Sequence, residues 1–354
     1  MKSRLQLLPI IIGCCAFSMT SVAQNSSSPN PDSATFDPNG TAHITREVPM
    51  PTTVSPEAQQ WLKQIEHESP QSHDLAERRR GTDAWRKFDS DEAKKKFPVK
   101  ITETTTAGVH TDIIDPLETP ATNKDKVLIN LHGGGFITDS GSLIEGIPIA
   151  NLAKIKVVSV YYRLAPENPF PAAVDDAVAV YKELLKTHKP RDIGIFGTSA
   201  GAILTAEVAV KLNQSGLPLP GALGFFSGLA DFSRTSDSQQ LFALNGFSGN
   251  IAPEDPNGGP DDSYVGKTDR RDPMLSPLFA DLHEFPPTLL VTGTRDALLS
   301  NTALFHQALL RAGVDARLLV FEAMPHAFWY HFSLPETQEA LEAMAKFFDE
   351  HVGH

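Results

Sequence analysis

Short apolar runs alternate with segments of helical periodicity through most of the chain. The runs are rich in Val, Ile and Leu, which is typical of strands buried on both faces of a sheet. They predict strands at Lys126–Leu131, Ile155–Tyr162, Asp192–Phe196, Gly221–Phe226, Thr288–Gly293 and Ala316–Phe321. The segments between them predict helices at Ile147–Lys154, Ala172–Lys186, Ala200–Gln214, Asn301–Gly313 and Pro335–Val352. This alternation predicts an α/β fold with a mostly parallel central sheet flanked by helices.

Two helical segments and two further strands precede this alternation. Ser55–Glu68 is an amphipathic segment that opens with a good N-cap residue, and His73–Phe97 is a highly charged helix. β-branched residues predict strands at Val99–Thr105 and Val109–Ile114. The basic runs of the charged helix are interleaved with acidic residues, which favours a solvated helix face over a basic docking patch.

The first 54 residues differ in composition from the rest. Residues 1–23 carry two basic residues, an apolar stretch and small residues before Gln24, the layout of a secretory signal peptide. The apolar stretch is too short for a membrane span. We therefore expect an exported protein, periplasmic or secreted; the alternative is a lipoprotein anchored to a membrane through Cys14. Residues 24–54 are polar and predict a disordered linker.

Composition and charge exclude several classes of function. The chain has 354 residues, of which 41% are hydrophobic and 21% charged, enough to form a globular core. A formal charge of −12 argues against binding to nucleic acid. The two cysteines, Cys14 and Cys15, are adjacent and lie in the signal segment, so they cannot form a disulfide framework. The sequence leaves the oligomeric state undetermined.

The sharpest local motif is the Gly-Thr-Ser-Ala-Gly string at Gly197–Gly201. It follows a predicted strand and opens a predicted helix, which is the context that a nucleophile elbow requires. Such a turn lifts the hydroxyl of Ser199 clear of the sheet. The helix N-terminus also places backbone N–H groups beside developing negative charge. We predict that Ser199 is a nucleophile.

A second glycine cluster, His132–Phe136, follows the strand at Lys126–Leu131. Three consecutive glycines are costly unless the backbone itself must approach a ligand. The spacing does not match the phosphate-binding glycine motifs. We therefore predict an oxyanion hole formed by the backbone N–H groups of Gly134, Gly135 and Ala200.

A serine nucleophile needs a base and an orienting acid. His326 lies just beyond the last predicted strand, and Asp296 lies just beyond the strand before it, so both are predicted at the carboxyl edge of the sheet. His331 is the nearest rival for the base. Glu322 is a less favoured alternative for the acid because it lies close to His326 along the chain.

These residues, taken in order, resemble the hormone-sensitive-lipase-like α/β-hydrolases, the bacterial family IV esterases, in their Gly-Thr-Ser-Ala-Gly subgroup. The likeness covers about residues 97–351 and rests on the two glycine motifs, the Asp296 and His326 loops, and the segments Tyr162–Glu167, Phe170–Ala173 and Asp272–Leu278. The resemblance implies a Ser199–His326–Asp296 triad. It also implies a helical cap at residues 55–97 on a catalytic α/β-hydrolase domain at residues 98–354.

Two positions depart from the family pattern. Thr198 stands where many members have Asp, and Tyr161 stands where Asp is common. We expect the chemistry to survive with a different local hydrogen-bond network. Arg163 and Glu167 are predicted to tie down loops beneath the site.

The expected activity is hydrolysis of short- to medium-chain carboxylic esters, small-molecule substrates, without a metal or organic cofactor. Phe136 and Phe328 are candidate substrate-binding residues, although packing in the core explains such aromatic rings equally well. A serine peptidase or amidase using the same triad, and a non-catalytic exported binding protein on a hydrolase scaffold, are the alternatives.

Overall fold

The computed structural model describes residues 32–65, 74–139, 143–248 and 262–354. The predicted signal peptide at residues 1–23, with Cys14, lies outside them. The chain divides into one unit that ends at Met50 and a second unit, Pro51–His354. Within the described ranges, no helix is both long enough and apolar enough to cross a membrane.

The first unit contains an antiparallel hairpin of β1 (Ser33–Phe36) and β2 (Ala42–Thr45), in which every strand residue is exposed. The connecting turn reads Asp-Pro-Asn-Gly, with Gly40 at φ +91° and its amide donating to the carbonyl of Asp37 over 2.9 Å. The prediction that residues 24–54 form a disordered linker is therefore wrong for residues 33–45. Turn chemistry closes this hairpin without a buried face, so hydrophobic patterning does not reveal it.

The second unit is built around an eight-stranded sheet in the order β10-β9-β8-β7-β5-β6-β4-β3. Its strands are β3 (Val99–Thr106), β4 (Val109–Pro116), β5 (Val127–Leu131), β6 (Lys156–Val160), β7 (Ile193–Thr198), β8 (Ala222–Phe226), β9 (Thr288–Gly293) and β10 (Ala316–Phe321). Neighbours from β10 to β6 are parallel, whereas β4 pairs antiparallel with β6 and β3. The predicted α/β fold with a mostly parallel sheet is confirmed.

The helices are α1 (Pro56–Ile65), α2 (Leu75–Lys96), α3 (Gly146–Ala153), α4 (Ala172–Leu184), α5 (Ala200–Gln214), α6 (Asp237–Leu241), α7 (Asp262–Val265), α8 (Leu299–Arg311) and α9 (Pro335–His351). Every residue of β5 and β7 is buried, because helices cover both faces of the sheet. In the predicted cap, the Ser55 hydroxyl accepts the amide of Ala58 as an N-cap, at 3.0 Å, and donates to Glu336 of α9 at 2.9 Å.

The direction of the strands decides where chemistry is possible. Because β5, β7, β8, β9 and β10 are parallel, their carboxyl ends lie at the same edge of the sheet. The loops that follow these five strands begin at His132, Ser199, Ser227, Thr294 and Glu322. The topology thus gathers the predicted nucleophile, oxyanion loop, base and acid at one edge.

Candidate active site

Ser199 occupies a sharp turn between β7 and α5. Its backbone takes φ +58° and ψ −122°, a conformation that residues other than glycine seldom adopt. The amide of Ser199 donates to the carbonyl of Phe226 over 2.9 Å, which holds the turn against the end of β8. The side chain is partly exposed, so the turn presents its hydroxyl at the carboxyl edge.

The glycines on either side of Ser199 are required by close approach to β5. A Cβ atom on Gly197 would lie 2.2 Å from the carbonyl oxygen of Leu131, and one on Gly201 would lie 1.8 Å from the same atom. Leu131 is the last residue of β5 and leads directly into His132. The missing side chains therefore let the elbow lie directly against the start of the oxyanion loop.

The predicted oxyanion loop, His132–Phe136, is held in place through one carbonyl group. Gly134 has φ +105° and Gly135 has φ +61°. The carbonyl oxygen of Gly134 accepts the amides of Ile137 and Thr138, at 3.1 and 3.0 Å, and the Thr138 hydroxyl at 3.1 Å. Because a peptide unit is planar and trans, fixing this carbonyl also aims the N–H of Gly135 in the opposite direction.

The predicted oxyanion donors are three backbone N–H groups. Over the ranges that the structure covers, the amides of Gly134, Gly135 and Ala200 donate no hydrogen bond to another protein group. Gly134 and Gly135 are partly exposed, so their N–H groups are open to a ligand, and such donors are most useful where negative charge develops. Ala200 adds the N-terminal end of α5 to this set.

His326 and Asp296 form a buried pair. The Nδ1 atom of His326 lies 3.0 Å from Oδ1 of Asp296, and the carboxylate is fully buried. Oδ1 also accepts the amide of Leu298 at 2.9 Å, while Oδ2 accepts the hydroxyls of Thr292, at 2.8 Å, and Ser227. Burial raises the pKa of Asp296, but attraction to His326 and these hydrogen bonds outweigh it and hold the pKa below its usual value.

Two contacts fix the loop that carries His326. Its backbone amide donates to the carbonyl of Leu244 at 3.2 Å, which brings the segment after α6 against the loop. Trp329 donates from Nε1 to the hydroxyl of Thr198 at 3.1 Å. Thr198, the first departure from the family pattern, therefore links the elbow to the histidine loop by accepting this hydrogen bond with its hydroxyl.

The rival residues lie elsewhere. The ring of His331 packs 4.2 Å from that of Trp61 in α1, and burial lowers its pKa to about 4. Glu322 is exposed and accepts a hydrogen bond from Thr294 at 3.4 Å. These contacts give His331 a packing role and leave His326 as the histidine that pairs with a buried acid.

Phe136 and Phe328 are buried in aromatic packing. Phe136 stacks on Tyr264 with ring centroids 3.4 Å apart, and Phe328 packs against Phe321 and Trp329. Their side chains are 1% and 0% exposed. Neither ring faces an open pocket in this arrangement, so the prediction of substrate-binding rings gives way to the alternative of core packing.

Helix α2 contributes two arginines to the loops around the site. Arg79 forms a two-pronged ion pair with Glu167, at 2.8 Å for each contact, and donates to the carbonyl of Ile137 at 2.8 Å. Hydrogen bonding to Arg79 lowers the pKa of Glu167 to about 2. Arg86 pairs with Asp139 at 2.6 Å. Glu167 therefore ties its own loop to α2, and whether this supports the site from beneath stays a prediction.

Arg163 and Tyr161 have structural partners as well. Arg163 pairs with the buried Asp176 of α4 at 2.8 Å. Tyr161, the second departure, donates to Asp112 at 2.5 Å and stacks on His110. Among the residues whose positions are described, no group of three His, Cys, Asp or Glu side chains is placed to hold a metal ion.

Several residues around the site are not singled out by any motif. Ser227, which follows β8, and Thr292, which is part of β9, both donate to Asp296. Glu145 is buried at the start of α3, with its carboxyl bonded to Asn130 and Tyr330. The position of Ser227 at a strand end is a signal that sequence reasoning could have used. The contacts of Glu145 span 185 residues and leave no local pattern.

The chain is similar to known esterases in sequence. A family model described as the alpha/beta hydrolase fold matches residues 128–330. The acetyl-hydrolase of Streptomyces hygroscopicus is 32% identical over 241 residues, 64% of this chain and 77% of that protein. An esterase of Acinetobacter venetianus is 30% identical over 237 residues, 63% of this chain and 74% of that protein.

Solved structures agree with these relatives. The crystal structure of an esterase named E25 has a TM-score of 0.77 at 32% identity and covers 89% of this chain and 99% of its own. An esterase from the bacterial hormone-sensitive lipase family has a TM-score of 0.72 at 30% identity, covering 84% and 99%. With the elbow, the oxyanion loop and the Asp–His pair in the order of that fold, the chain belongs to the α/β-hydrolase family as a hormone-sensitive-lipase-like carboxylic ester hydrolase.

Proposed function

We propose that this protein hydrolyses short- to medium-chain carboxylic esters through a covalent acyl-enzyme on Ser199. One observation carries the proposal: the strained turn of Ser199 shares the carboxyl edge of the sheet with three unpaired amides and the buried His326–Asp296 pair. Backbone strain of this kind is retained where function requires it. Ester hydrolysis in general is also the activity for which the relatives are named.

In the proposed reaction, Nε2 of His326 takes the proton of Ser199 as Oγ attacks the ester carbonyl carbon. Nδ1 of His326 keeps its proton and donates to Asp296, so Nε2 is the free acceptor. The proton then passes to the leaving alcohol as the ester C–O bond breaks. A water molecule attacks the acyl-enzyme, returns a proton through His326 and releases the carboxylic acid, which restores the Ser199 hydroxyl.

The negative charge on the carbonyl oxygen is assigned to the amides of Gly134, Gly135 and Ala200. These donors are unpaired before substrate binds, so no protein hydrogen bond has to break in the reaction. Preorganised donors of this kind each contribute about 10²–10³ in rate.

The proposed preference for a short acyl chain rests on the predicted cap and on the name of one relative. Helix α2, which belongs to the predicted cap, is tied by Arg86 to Asp139, three residues after the predicted oxyanion loop. The relative from Streptomyces is named an acetyl-hydrolase, which is consistent with a small acyl group.

The test is a series of p-nitrophenyl esters with acyl chains from two to twelve carbons. We expect kcat/KM to be highest for the short and medium chains and to disappear in Ser199→Ala. Ser215→Ala, at the opposite end of α5, is the matched control and should retain full activity. Ester turnover that survives Ser199→Ala would refute the mechanism. Highest turnover at twelve carbons would refute the chain-length proposal.

The same proteins separate the alternatives. A fluorophosphonate probe should label Ser199, as judged by mass spectrometry of the digested protein. Lack of labelling in the folded protein would favour a non-catalytic binding protein. Turnover of a matching p-nitrophenyl amide that equals ester turnover would favour a peptidase or amidase.

We also propose that the protein is exported, with removal of residues 1–23. The succession of basic, apolar and small residues along this segment supports the proposal. Fractionation of cells with intact-mass measurement tests it: the mature chain should begin at Gln24 and lie outside the cytoplasm. A membrane-bound chain that Cys14→Ala releases would favour the lipoprotein alternative instead.

A further inference from the structure

A buried carboxyl group lies behind the elbow. Glu145 directly precedes α3 and is 3% exposed. Its Oε2 accepts Nδ2 of Asn130 at 3.0 Å, and its Oε1 accepts the hydroxyl of Tyr330. The proposed reaction steps do not use Glu145.

Each partner of Glu145 is a close chain neighbour of a different part of the site. Asn130 belongs to β5 and lies two residues before the oxyanion loop begins at His132. Tyr330 belongs to the turn Phe328–Tyr330, which follows His326. Trp329, in the same turn, donates to Thr198, which immediately precedes Ser199. The carboxyl of Glu145 therefore connects β5 directly to the turn after His326, and that turn is bonded to the elbow.

This arrangement is costly for stability alone. Placing a carboxyl in a dry interior carries a large desolvation penalty, and an apolar residue of similar size is often neutral or stabilising. Burial raises the pKa of Glu145 to about 8, and nearby Asp139 acts in the same direction, while hydrogen bonds from Tyr330, Asn130 and Thr198 oppose the rise. A carboxyl kept there despite this cost is best explained by the directional contacts it makes.

Thr198 is where these contacts meet the elbow. It is fully buried and accepts Nε1 of Trp329 at 3.1 Å on the side of the histidine loop. The next residue along that loop, Tyr330, donates its hydroxyl to Glu145 at the start of α3. A shift of Thr198 must move the backbone of Ser199, because the two residues share a peptide unit.

We propose that Glu145 is a positioning residue that sets the elbow of Ser199 relative to the oxyanion loop and the His326 loop. It acts through Asn130 and through Tyr330, whose neighbour Trp329 bonds to Thr198, and it does not contact the substrate. This inference rests on the proposed nucleophilic role of Ser199.

The experiment compares Glu145→Ala and Glu145→Gln by thermal unfolding, kcat and KM on p-nitrophenyl butyrate, and the rate of fluorophosphonate labelling at Ser199. Misplacing a reacting group by about 1 Å costs about 10²-fold in rate, so Glu145→Ala should lower kcat and the labelling rate by that factor. KM should change by less than about twofold, because the lost interactions act on the transition state. Glu145→Gln keeps one acceptor oxygen and should recover most of the loss.

Tyr330→Phe is a second variant that tests the same contact if Glu145→Ala does not fold. It removes one hydroxyl, keeps the ring, and should lower kcat about tenfold, in line with loss of about 1.4 kcal/mol from one buried hydrogen bond. Tyr181→Phe is the matched control, because it removes a buried hydroxyl bonded to the carbonyl of Pro218 at 2.9 Å, and it should leave kcat unchanged.

The outcomes are distinguishable. Unchanged kcat and labelling in folded Glu145→Ala or in Tyr330→Phe would overturn the inference while leaving Ser199 as the nucleophile. A fall in kcat equal to that of Tyr181→Phe would also overturn it, because the effect would then be general destabilisation. Activity that survives Ser199→Ala would instead overturn the proposed function on which the inference rests.

Discussion

Two adjacent glycines of the oxyanion loop should respond very differently to the same substitution. A Cβ atom on Gly134 would lie 2.2 Å from the carbonyl oxygen of Thr138 and 2.7 Å from its hydroxyl, whereas a Cβ atom on Gly135 has Ile137 Cγ1 as its nearest neighbour, at 3.9 Å. Both residues have positive φ, at +105° and +61°. Only Gly135 therefore has both room for a methyl group and a left-handed conformation that an alanine adopts at a cost of about 1–2 kcal/mol.

The size of the effect follows from the contact. Ordinary van der Waals contact begins near 3.4 Å, so the backbone at Gly134 must move by about 1 Å, and an error of that size in a reacting group costs about 10²-fold in rate. The same movement breaks the hydrogen bonds that the Gly134 carbonyl accepts from Ile137 and Thr138. We expect Gly134→Ala to lower kcat by about 10²–10³-fold, the loss typical of one oxyanion donor.

The assay is steady-state hydrolysis of p-nitrophenyl acetate, with thermal unfolding measured on the same samples. Gly135→Ala is the matched control and should keep kcat within about tenfold while losing about 1–2 kcal/mol of stability. Equal activities of the two variants, or a more active Gly134→Ala, would refute the assignment of this loop to the oxyanion. Equal loss of stability without loss of kcat would assign the glycines to folding alone.

Three further predictions concern charged groups around the site. Asp296→Asn should lower kcat/KM by about 10³-fold, since about 4 kcal/mol of attraction to a protonated His326 is lost at an effective permittivity of 20. Activity within tenfold of wild type would contradict this prediction. Ser227→Ala, which leaves the charge of Asp296 in place, should lower kcat/KM much less. The pKa of His331 is lowered from 6.5 to about 4, so its contribution to stability is complete above pH 6.5 and is lost as the pH falls towards 4. His331→Gln should remove this pH dependence, about 3 kcal/mol of the free energy of unfolding between pH 6.5 and 4, as measured by denaturant titration. If the free energy of unfolding of the variant depends on pH as steeply as that of the wild type, the imidazole has its ordinary pKa. Arg86→Met should destabilise the fold by about 2 kcal/mol, because it removes the ion pair with Asp139. A double-mutant cycle with Asp139→Asn should give a coupling energy above about 0.5 kcal/mol. Additive effects of the two substitutions would show that the ion pair does not contribute to stability.

Much of the fold follows from local pattern. The predicted strands from Lys126 onwards agree with β5 to β10 to within one or two residues at each end, because Val, Ile and Leu runs buried on both faces have few alternatives. The hairpin at residues 33–45 could not be predicted from such a pattern. Its strands bury no apolar face, and only its turn residues carry a signal.

The candidate site divides in a similar way. Ser199, Asp296 and His326 follow strands in the sequence, so the edge that they share could be predicted from strand order alone. The environment of Phe136 and Phe328 could not be predicted from composition, because an aromatic residue next to a motif has the same local sequence whether its ring lines a pocket or fills the core. Their burial depends on contacts with Tyr264 and Phe321, which are distant in sequence or belong to another element.

The sequence by itself determined most of the elements and the shared carboxyl edge, and it was enough to predict the reacting groups, because backbone conformation and motif spacing are local properties. The tertiary structure decided which groups support them. Leu131 approaches Gly201, Trp329 donates to Thr198, and Glu145 joins three segments far apart in the chain. Such contacts depend on distances in space between residues that are remote in sequence, and no local pattern encodes those distances.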